Sequence, residues 1–404
     1  MDESIRHNVG IVGGGMVGLL AALAFDRSFG ASCAIHVFDV ASIDFDRPLS
    51  QPSFDDRSTA LSFDTLRYMD SLGLLDVSQQ ACPIRSIHVS NKGRMGSTVL
   101  TAQQVNWPQL GGVIENRVLG ETLSQQLKDS RVRVHAPSEV ATIQPKARGV
   151  EVFDADGKAQ LLDCLIIADG GQSALAQRLG MLRESKAYAH SAIIANVATA
   201  EHHGHCAYER FSEQGPMAML PLNNAGDLNR SALVWTAPKD RIDELMSLTD
   251  RQFCKSLEAQ FGYRLGRIEQ VGERHVYPLQ MMHRIEQVRA GIVVLGNAAH
   301  TLHPVAGQGF NLSVRDIRSL TEVLTQCVSS QDFSSAALSP YAQRRALDQW
   351  RTVNASDLLP ELFQYTGAVG AVRNFALGFM DLIPTVKQRF TAIAAGAVGE
   401  GDYV

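Results

Sequence analysis

The chain has 404 residues and a formal net charge of −5, from 37 basic and 42 acidic side chains. That length is enough for two or three domains around a large core, and the charge balance argues against nucleic acid as the main partner. Six cysteines, Cys33, Cys82, Cys164, Cys206, Cys254 and Cys327, are scattered without C-x-x-C or zinc spacing, so neither a disulfide framework nor a metal site is expected. No secretory or transit peptide precedes the first expected strand, and no apolar run reaches the roughly 18 residues of a membrane span. The expectation is a soluble, cytoplasmic protein.

The first element is a strand over Val9–Val12, followed by Gly13-Gly14-Gly15-Met16-Val17-Gly18, a G-x-G-x-x-G turn into an apolar helix from Leu19 to Phe25. Ala34–Phe38 reads as a second strand ending in Asp39. Gly13, Gly15 and Gly18 permit a tight turn, close approach of a pyrophosphate and close helix–strand packing, and an acid roughly 20 residues beyond accepts from a ribose hydroxyl. Dinucleotide binding follows, without a choice between NAD and FAD. The segment Asp56-Arg57-Ser58-Thr59-Ala60-Leu61-Ser62 precedes a helix from Phe63 that ends near Gly73. Strands are expected within Ile84–Leu100, and Gly112–Leu119 leads into a helix carrying Leu119, Leu123 and Leu127. Val132–Val134 and Val150–Phe153 read as strands, the latter turning at Asp154-Ala155-Asp156-Gly157.

Cys164–Ala168 is a further buried strand, followed by Asp169-Gly170-Gly171-Gln172-Ser173. Residues 185–285 break the α/β pattern: Ser191–Thr199, Met217–Leu222 and Ser231–Thr236 read as strands of an antiparallel sheet. Ile292–Leu295 is a β-branched run typical of a buried parallel strand. Gly296 ends it, and a loop with Pro304, Gly307 and Gly309 leads to a helix from Phe310. A helix start offers unpaired N–H groups and partial positive charge, which suits an anion or an electron-rich ring edge.

Gly296-Asn297-Ala298-Ala299-His300, Pro304, Gly307-Gln308-Gly309, Asn311 and Asp316 resemble the second flavin fingerprint of the single-component flavoprotein aromatic hydroxylases. With the turn at Gly13 and the D-G-x-x-S word at Asp169, all three flavin motifs of that family occur in order. The resemblance implies FAD as cofactor and NADPH or NADH as cosubstrate. It assigns FAD contacts to Gly13, Gly15, Gly18, Asp39, Arg57, Arg117, Asp169, Gly170, Asn297, Pro304, Gly307, Gln308, Gly309, Phe310 and Asn311. Pro304, Gly307 and Gly309 form the flavin-positioning loop, while no catalytic side chain is assigned. Three departures stand out. Asn297 replaces the common Asp but can still bond a ribityl hydroxyl, Asp39 replaces the more common Glu, and Ala176 stands where many members carry Arg.

The words Ala195-Asn196-Val197-Ala198-Thr199, Glu209-Arg210-Phe211, Gly215–Pro221 and Phe261–Gly266 resemble the ubiquinone-biosynthesis branch, of the type acting on a 2-polyprenyl-6-methoxyphenol. This implies that NAD(P)H reduces FAD, that O2 adds at C4a as a hydroperoxide, and that its distal oxygen is transferred to the ring of a polyprenyl phenol. Met217, Met219, Leu220 and Pro221 are taken as an apolar substrate lining.

The fold expected is α/β (α+β overall): a Rossmann-like FAD-binding domain of the para-hydroxybenzoate hydroxylase type, an inserted antiparallel-sheet substrate domain and C-terminal helices. Residues 1–80, 111–184 and 286–350 form the FAD-binding domain, 81–110 contribute strands to the substrate domain, 185–285 form that domain, and 351–404 are a C-terminal helical region. Amphipathic helices broken at Pro360 and Pro384 are expected there. They pack on the FAD domain or a second subunit, or contact a polyprenyl chain, the cytoplasmic face of the inner membrane, or a ubiquinone-biosynthesis complex. His202-His203-x-His205 reads as a polar hairpin tip, and His300 as a residue that caps or orients the flavin loop. A flavin-dependent halogenase is disfavoured for want of a W-x-W-x-I-P word. A flavin reductase or desaturase, and a catalytically quiet scaffold flavoprotein, remain as alternatives.

Overall fold

Parallel strands form one centre of the protein. The structure is a computed structural model that describes residues 7–43, 55, 57–93, 97–302 and 307–364, with side chains as far as 357. Its six-stranded sheet runs in the order Val288–Arg289, Ile292–Val294, Cys164–Ile167, His7–Val12, Cys33–Phe38, Arg133–His135. His7–Val12 pairs in parallel with strands on both sides, Val9 opposite Cys164 and Ile35. Both faces are covered, which explains why these strands are continuous apolar runs rather than alternating ones. On one face lie the helices Met16–Phe29 and Gln308–Ser330, whose Leu19, Phe25, Ile317 and Leu324 join Val9 and Ile11 in the core. On the other, Val150, Val152 and Leu162 of a small antiparallel sheet pack on Leu165 and Ile292.

The second unit is a nine-stranded sheet in the order His300–Thr301, His275–Arg284, Arg183–Thr199, Leu228–Pro238, Met217–Ala225, Cys206–Phe211, Ser86–Asn91, Ser97–Thr101, with Ile268–Val271 pairing on Arg183–Thr199. One face is sealed by the helices Lys239–Ser247 and Asp250–Phe261, whose Ile242, Leu245, Phe253, Leu257 and Phe261 pack on Ile193, Leu233 and Trp235. The sequence reading gave this region strands alone. Lys239–Ser247 buries only Ile242 and Leu245, too few apolar positions to outline a helix, although the capping box Thr249/Gln252 marks the second helix's start. A three-stranded sheet of Ser58–Ser62, Gly111–Glu115 and Cys82–Ile84 stands between the two units.

The helix Ser335–Gln364 is a single element that crosses the expected boundary at 350/351 and continues through Pro360. Its anchorage explains the continuity: Arg345, Asp348 and Gln349 are buried in a polar network, and Asp357 accepts from Lys186 and Tyr188 of the nine-stranded sheet. The expected break at Pro384 and the apolar positions beyond 364 lie outside the described residues.

Candidate active site

Three glycine-bearing turns meet at the carboxyl ends of the parallel strands. Gly13 has φ +105°, and its N–H donates to the Phe38 carbonyl (2.8 Å). A Cβ on Gly13 would stand 2.4 Å from the Ala168 carbonyl oxygen, and one on Gly18 would stand 1.8 Å from the Gly13 oxygen. These positions admit only glycine without displacing backbone. Gly15 caps the helix that follows. Asp39 holds this turn: Oδ2 accepts from the Gly14 N–H (2.5 Å) and Oδ1 from the Ala41 N–H (2.7 Å). A carboxylate has lone pairs to spare after two bonds, so a ribose hydroxyl can still be accommodated.

The second turn, Asp169-Gly170, begins where Cys164–Ile167 ends. Gly170 has φ +94°. Asp169 Oδ1 is buried and, among the described residues, has no hydrogen-bond partner. Burial pushes its carboxyl up, opposed by the Ser173 hydroxyl and by Arg284. Arg284 is wholly buried: Nε donates to the Ala298 carbonyl (3.0 Å), Nη1 to that of Met181 (2.7 Å), and Nη2 has no partner among the described residues. The sequence reading passed over Arg284, since a cation ending a strand is no signal by itself.

The third turn follows Ile292–Val294. Gly296 has φ +65°, and a Cβ there would meet Val17 Cγ1 at 2.9 Å, so the turn lies against the helix of the first. Asn297 is exposed beside it. Pro304 and His303 lie outside the described residues. Gly307, at φ +60°, caps the helix Gln308–Ser330, and Gln308, Gly309 and Phe310 form a half-exposed first turn whose N–H groups have no intrahelical acceptor. Among the described residues nothing lies within 4 Å of a Cβ built on Gly309.

The Asn311 side chain is engaged within the protein. It is buried, with Oδ1 accepting from the Ser62 N–H (2.8 Å) and Nδ2 donating to the carbonyls of Ala60 (2.9 Å) and Gly307 (2.8 Å). Both amide hydrogens are engaged, so the side chain locks the loop to the strand Ser58–Ser62. His300 and Asp316, both fully buried, bond at 2.5 Å, and Asp316 Oδ1 also accepts from Arg345 Nε (2.6 Å) and Gln349 Nε2 (3.1 Å). Burial would raise the Asp316 carboxyl; His300 and Arg345 reverse this and hold it below the usual carboxylate range.

Arg57 leads into the strand Ser58–Ser62. Its Nε bonds Asp55 (2.8 Å), and its guanidinium lies 4.7 Å from the ring centroid of Tyr277 on the nine-stranded sheet. Tyr277 is half-buried, and its phenol is raised by burial, with Arg57 opposing and Asp55 adding. Arg117 pairs with Glu121 (2.9 Å) on an exposed helix face, while its backbone N–H donates to Asp55 O.

The substrate lining needs a correction. Met217 and Met219 are 1% and 0% exposed, packed with Trp235 and Leu233 under the covering helices. Side chains alternate along a strand, so Ala218 and Leu220 take the opposite face, with Val234 and Ile194 in register beside Ala218. All four are half-buried and share that face with Tyr277. Pro221 is buried. His202, His203 and His205 lie not at a hairpin tip but in a connection between strands that two others separate, and there the fold brings Cys82 Sγ to 3.9 Å from His205 Nδ1.

The site suits a flavin dinucleotide on grounds visible in the chain: glycines that clear a path for it, a buried carboxylate oxygen and guanidinium nitrogen without partners among the described residues, and a half-exposed helix start. The chain is 30% identical to ubiquinone hydroxylase UbiL of Rhodospirillum rubrum over 97% of its own length and 90% of the relative's. It is 30% identical to a 3-demethoxyubiquinol 3-hydroxylase of Escherichia coli, covering 87% of this chain and 88% of that one. Among solved structures, p-nitrophenol 4-monooxygenase from Pseudomonas putida superposes with a TM-score of 0.78 at 17% identity, covering 98% and 99% of the two chains. Residues 6–356 match the family described as FAD binding domain, and the chain belongs to that family.

Proposed function

We propose that this FAD-dependent monooxygenase hydroxylates the aromatic ring of a polyprenyl phenol in ubiquinone biosynthesis, using O2 and NADH or NADPH. The observation that carries the reading is the meeting of the three glycine turns at the carboxyl ends of the parallel strands. Arg57, at the head of the strand that Asn311 ties to the third turn, lies over Tyr277, which shares a sheet face with Ile194 and Ala218 as well as Asn196 and Glu209. Bound FAD supplies the redox and oxygen-activating chemistry. Gly13, Gly15, Gly18 and Asp39 would hold its dinucleotide end, with Asp169, Gly170 and Arg284 beside the pyrophosphate. Asn297 and the amides of Gln308, Gly309 and Phe310 would meet the ribityl chain and ring edge, where helix-start N–H groups favour negative charge.

The chain's own part is positioning and exclusion of water. Ile194, Ala218, Leu220 and Val234 offer apolar contact to an isoprenoid-bearing ring, and Tyr277 with Arg57 offers polar contact at its phenolic end. The names of two relatives, a ubiquinone hydroxylase and a 3-demethoxyubiquinol 3-hydroxylase, support the pathway. The second favours an alternative ring position to that of a 2-polyprenyl-6-methoxyphenol hydroxylase. Among the described residues no helix is long and apolar enough to cross a membrane. Delivery of a lipid-tailed substrate from a membrane surface or a biosynthetic complex belongs to this proposal.

The test is aerobic turnover with a polyprenyl methoxyphenol, NAD(P)H and isotopically labelled O2. One labelled oxygen atom in the ring is expected, and its position assigns the regiochemistry. Cofactor consumption that yields peroxide without product overturns the substrate assignment. A flavin-loaded protein that consumes nothing points to the scaffold reading.

A further inference from the structure

Cys82 stands in the strand Cys82–Ile84 between the two units, and His203 and His205 stand in the connection from Arg183–Thr199 to Cys206–Phe211, strands that two others separate in the nine-stranded sheet. They are distant in sequence. In the fold their ligand atoms lie within 4.8 Å of one another, with Cys82 and His203 buried and His205 half-buried. Strand pairing explains the meeting: the Arg85 and Ser86 N–H groups, just beyond Cys82, both donate to the His205 carbonyl.

The orientation of the imidazoles is the second observation. His203 Nε2 lies 3.0 Å from the Leu222 carbonyl, which can only accept, so Nε2 carries the proton and Nδ1 carries the lone pair. That Nδ1 accepts the His205 N–H at 3.0 Å. The His205 ring reaches the Pro83 carbonyl, and its Nδ1 faces Cys82 Sγ. His203 is thus held through Nε2 by a backbone carbonyl, the kind of outer-shell bond that orients metal-ligating histidines, and it is His205 whose Nδ1 faces the thiol. The observed S···N distance of 3.9 Å is near the value of about 3.6 Å that tetrahedral angles and ordinary Zn–S and Zn–N lengths require.

We propose that Cys82, His203 and His205 form a Zn2+ site that ties this connection of the nine-stranded sheet to the strand Cys82–Ile84. Binding converts the Cys82 thiol to a thiolate and releases one proton to solvent, and Zn2+ replaces the His205 N–H at His203 Nδ1. The mixed sulfur and imidazole donor set selects zinc over magnesium or calcium. His202 is exposed, with its ring centroid 5.7 Å from that of His205, and its Nδ1 accepts from the Gly204 N–H. None of the three ligands belongs to the flavin turns and Zn2+ has no redox chemistry, so its role is structural.

The test is calorimetric titration of the metal-free, FAD-loaded protein with Zn2+. One equivalent is expected to bind, with affinity falling at least about tenfold in Cys82→Ser and in His205→Asn but unchanged in Cys206→Ser, the neighbouring thiol control. X-ray absorption of the Zn2+-loaded wild type needs no variant, and should show one sulfur at about 2.3 Å and nitrogens at about 2.0–2.1 Å. Absence of saturable binding overturns the site. So does an absorption spectrum with oxygen or nitrogen donors only, or equal affinity in wild type and Cys82→Ser.

Discussion

His300 Nε2 lies 2.5 Å from Asp316 Oδ2, and neither side chain is exposed to solvent. The pair fastens the strand His300–Thr301, which directly follows the Gly296–Ala298 turn, to the helix that begins at Gln308. Arg345 extends the fastening to the helix Ser335–Gln364. Replacing Asp316 with Ala strips partners from a buried imidazole and a buried guanidinium, a change that costs about 3–5 kcal/mol. The folded Asp316 carboxyl is held below the usual range. Its contribution is therefore fully present above about pH 4, the unfolded value, and is lost as pH falls through the folded value. Urea midpoints of wild type and Asp316→Ala should differ widely at neutral pH and converge in acid. A gap that does not change with pH sinks this account.

His36 gives the opposite chemistry. Burial first, then His135 and Arg133, lowers its pKa from the ordinary 6.5 to about 4. The folded protein prefers the neutral ring, so this stability is fully present above about pH 6.5 and declines as pH falls toward about 4, by roughly 3 kcal/mol in total. His36→Gln should lower the neutral-pH midpoint somewhat and remove that part of the slope between these values. An unchanged slope would mean that His36 does not carry the titration.

The parallel strands and the three glycine turns were legible because each residue in them answers a local demand. Gly13 and Gly296 take positive φ against close neighbours, and Val9–Val12 is apolar on both faces. The network around Asp316 was not legible, because Arg345 and Gln349 lie about thirty positions further along the chain and no local pattern pairs them. Met219 misled for a different reason: an apolar residue in a half-buried strand is recognised by period, but period alone does not say which face meets a covering helix. Cys82 and His205 were separated by the same limit, since strand pairing and not spacing joins them.

The two faces of the strand Met217–Ala225 make a paired prediction. Met219→Arg places a cation in the closed core against Leu233 and Trp235, so the variant should fail to accumulate folded or lose several kcal/mol, on the order of a buried unpaired charge. Leu220→Arg stands on the half-buried opposite face, against the cluster of Leu222 and Ala232, and should lower the melting temperature by less than Met219→Arg while FAD content is retained. If that face lines the substrate, it should divert most NAD(P)H oxidation to peroxide, measured as the ratio of product to cofactor consumed. Full coupling in Leu220→Arg would remove that strand from the substrate site.

Asn311 tests whether the flavin loop is held by the protein or by the cofactor. Its amide satisfies the Ser62 N–H and the carbonyls of Ala60 and Gly307. Asn311→Ala leaves these groups without their partner, at about 1–3 kcal/mol for each that water cannot reach. Gly307 then loses the tie that fixes the helix start against Ala60, its neighbour at 2.9 Å for an added Cβ. FAD should dissociate at least about tenfold more readily, since roughly 1.4 kcal/mol of lost pre-organisation suffices for that factor. Asn311→Asp keeps an acceptor for Ser62 but no donor for the two carbonyls, so it too should weaken FAD binding. If both variants fold and hold FAD as wild type does, in fluorescence titration of the released flavin, the loop is ordered by the cofactor and Asn311 is dispensable to it.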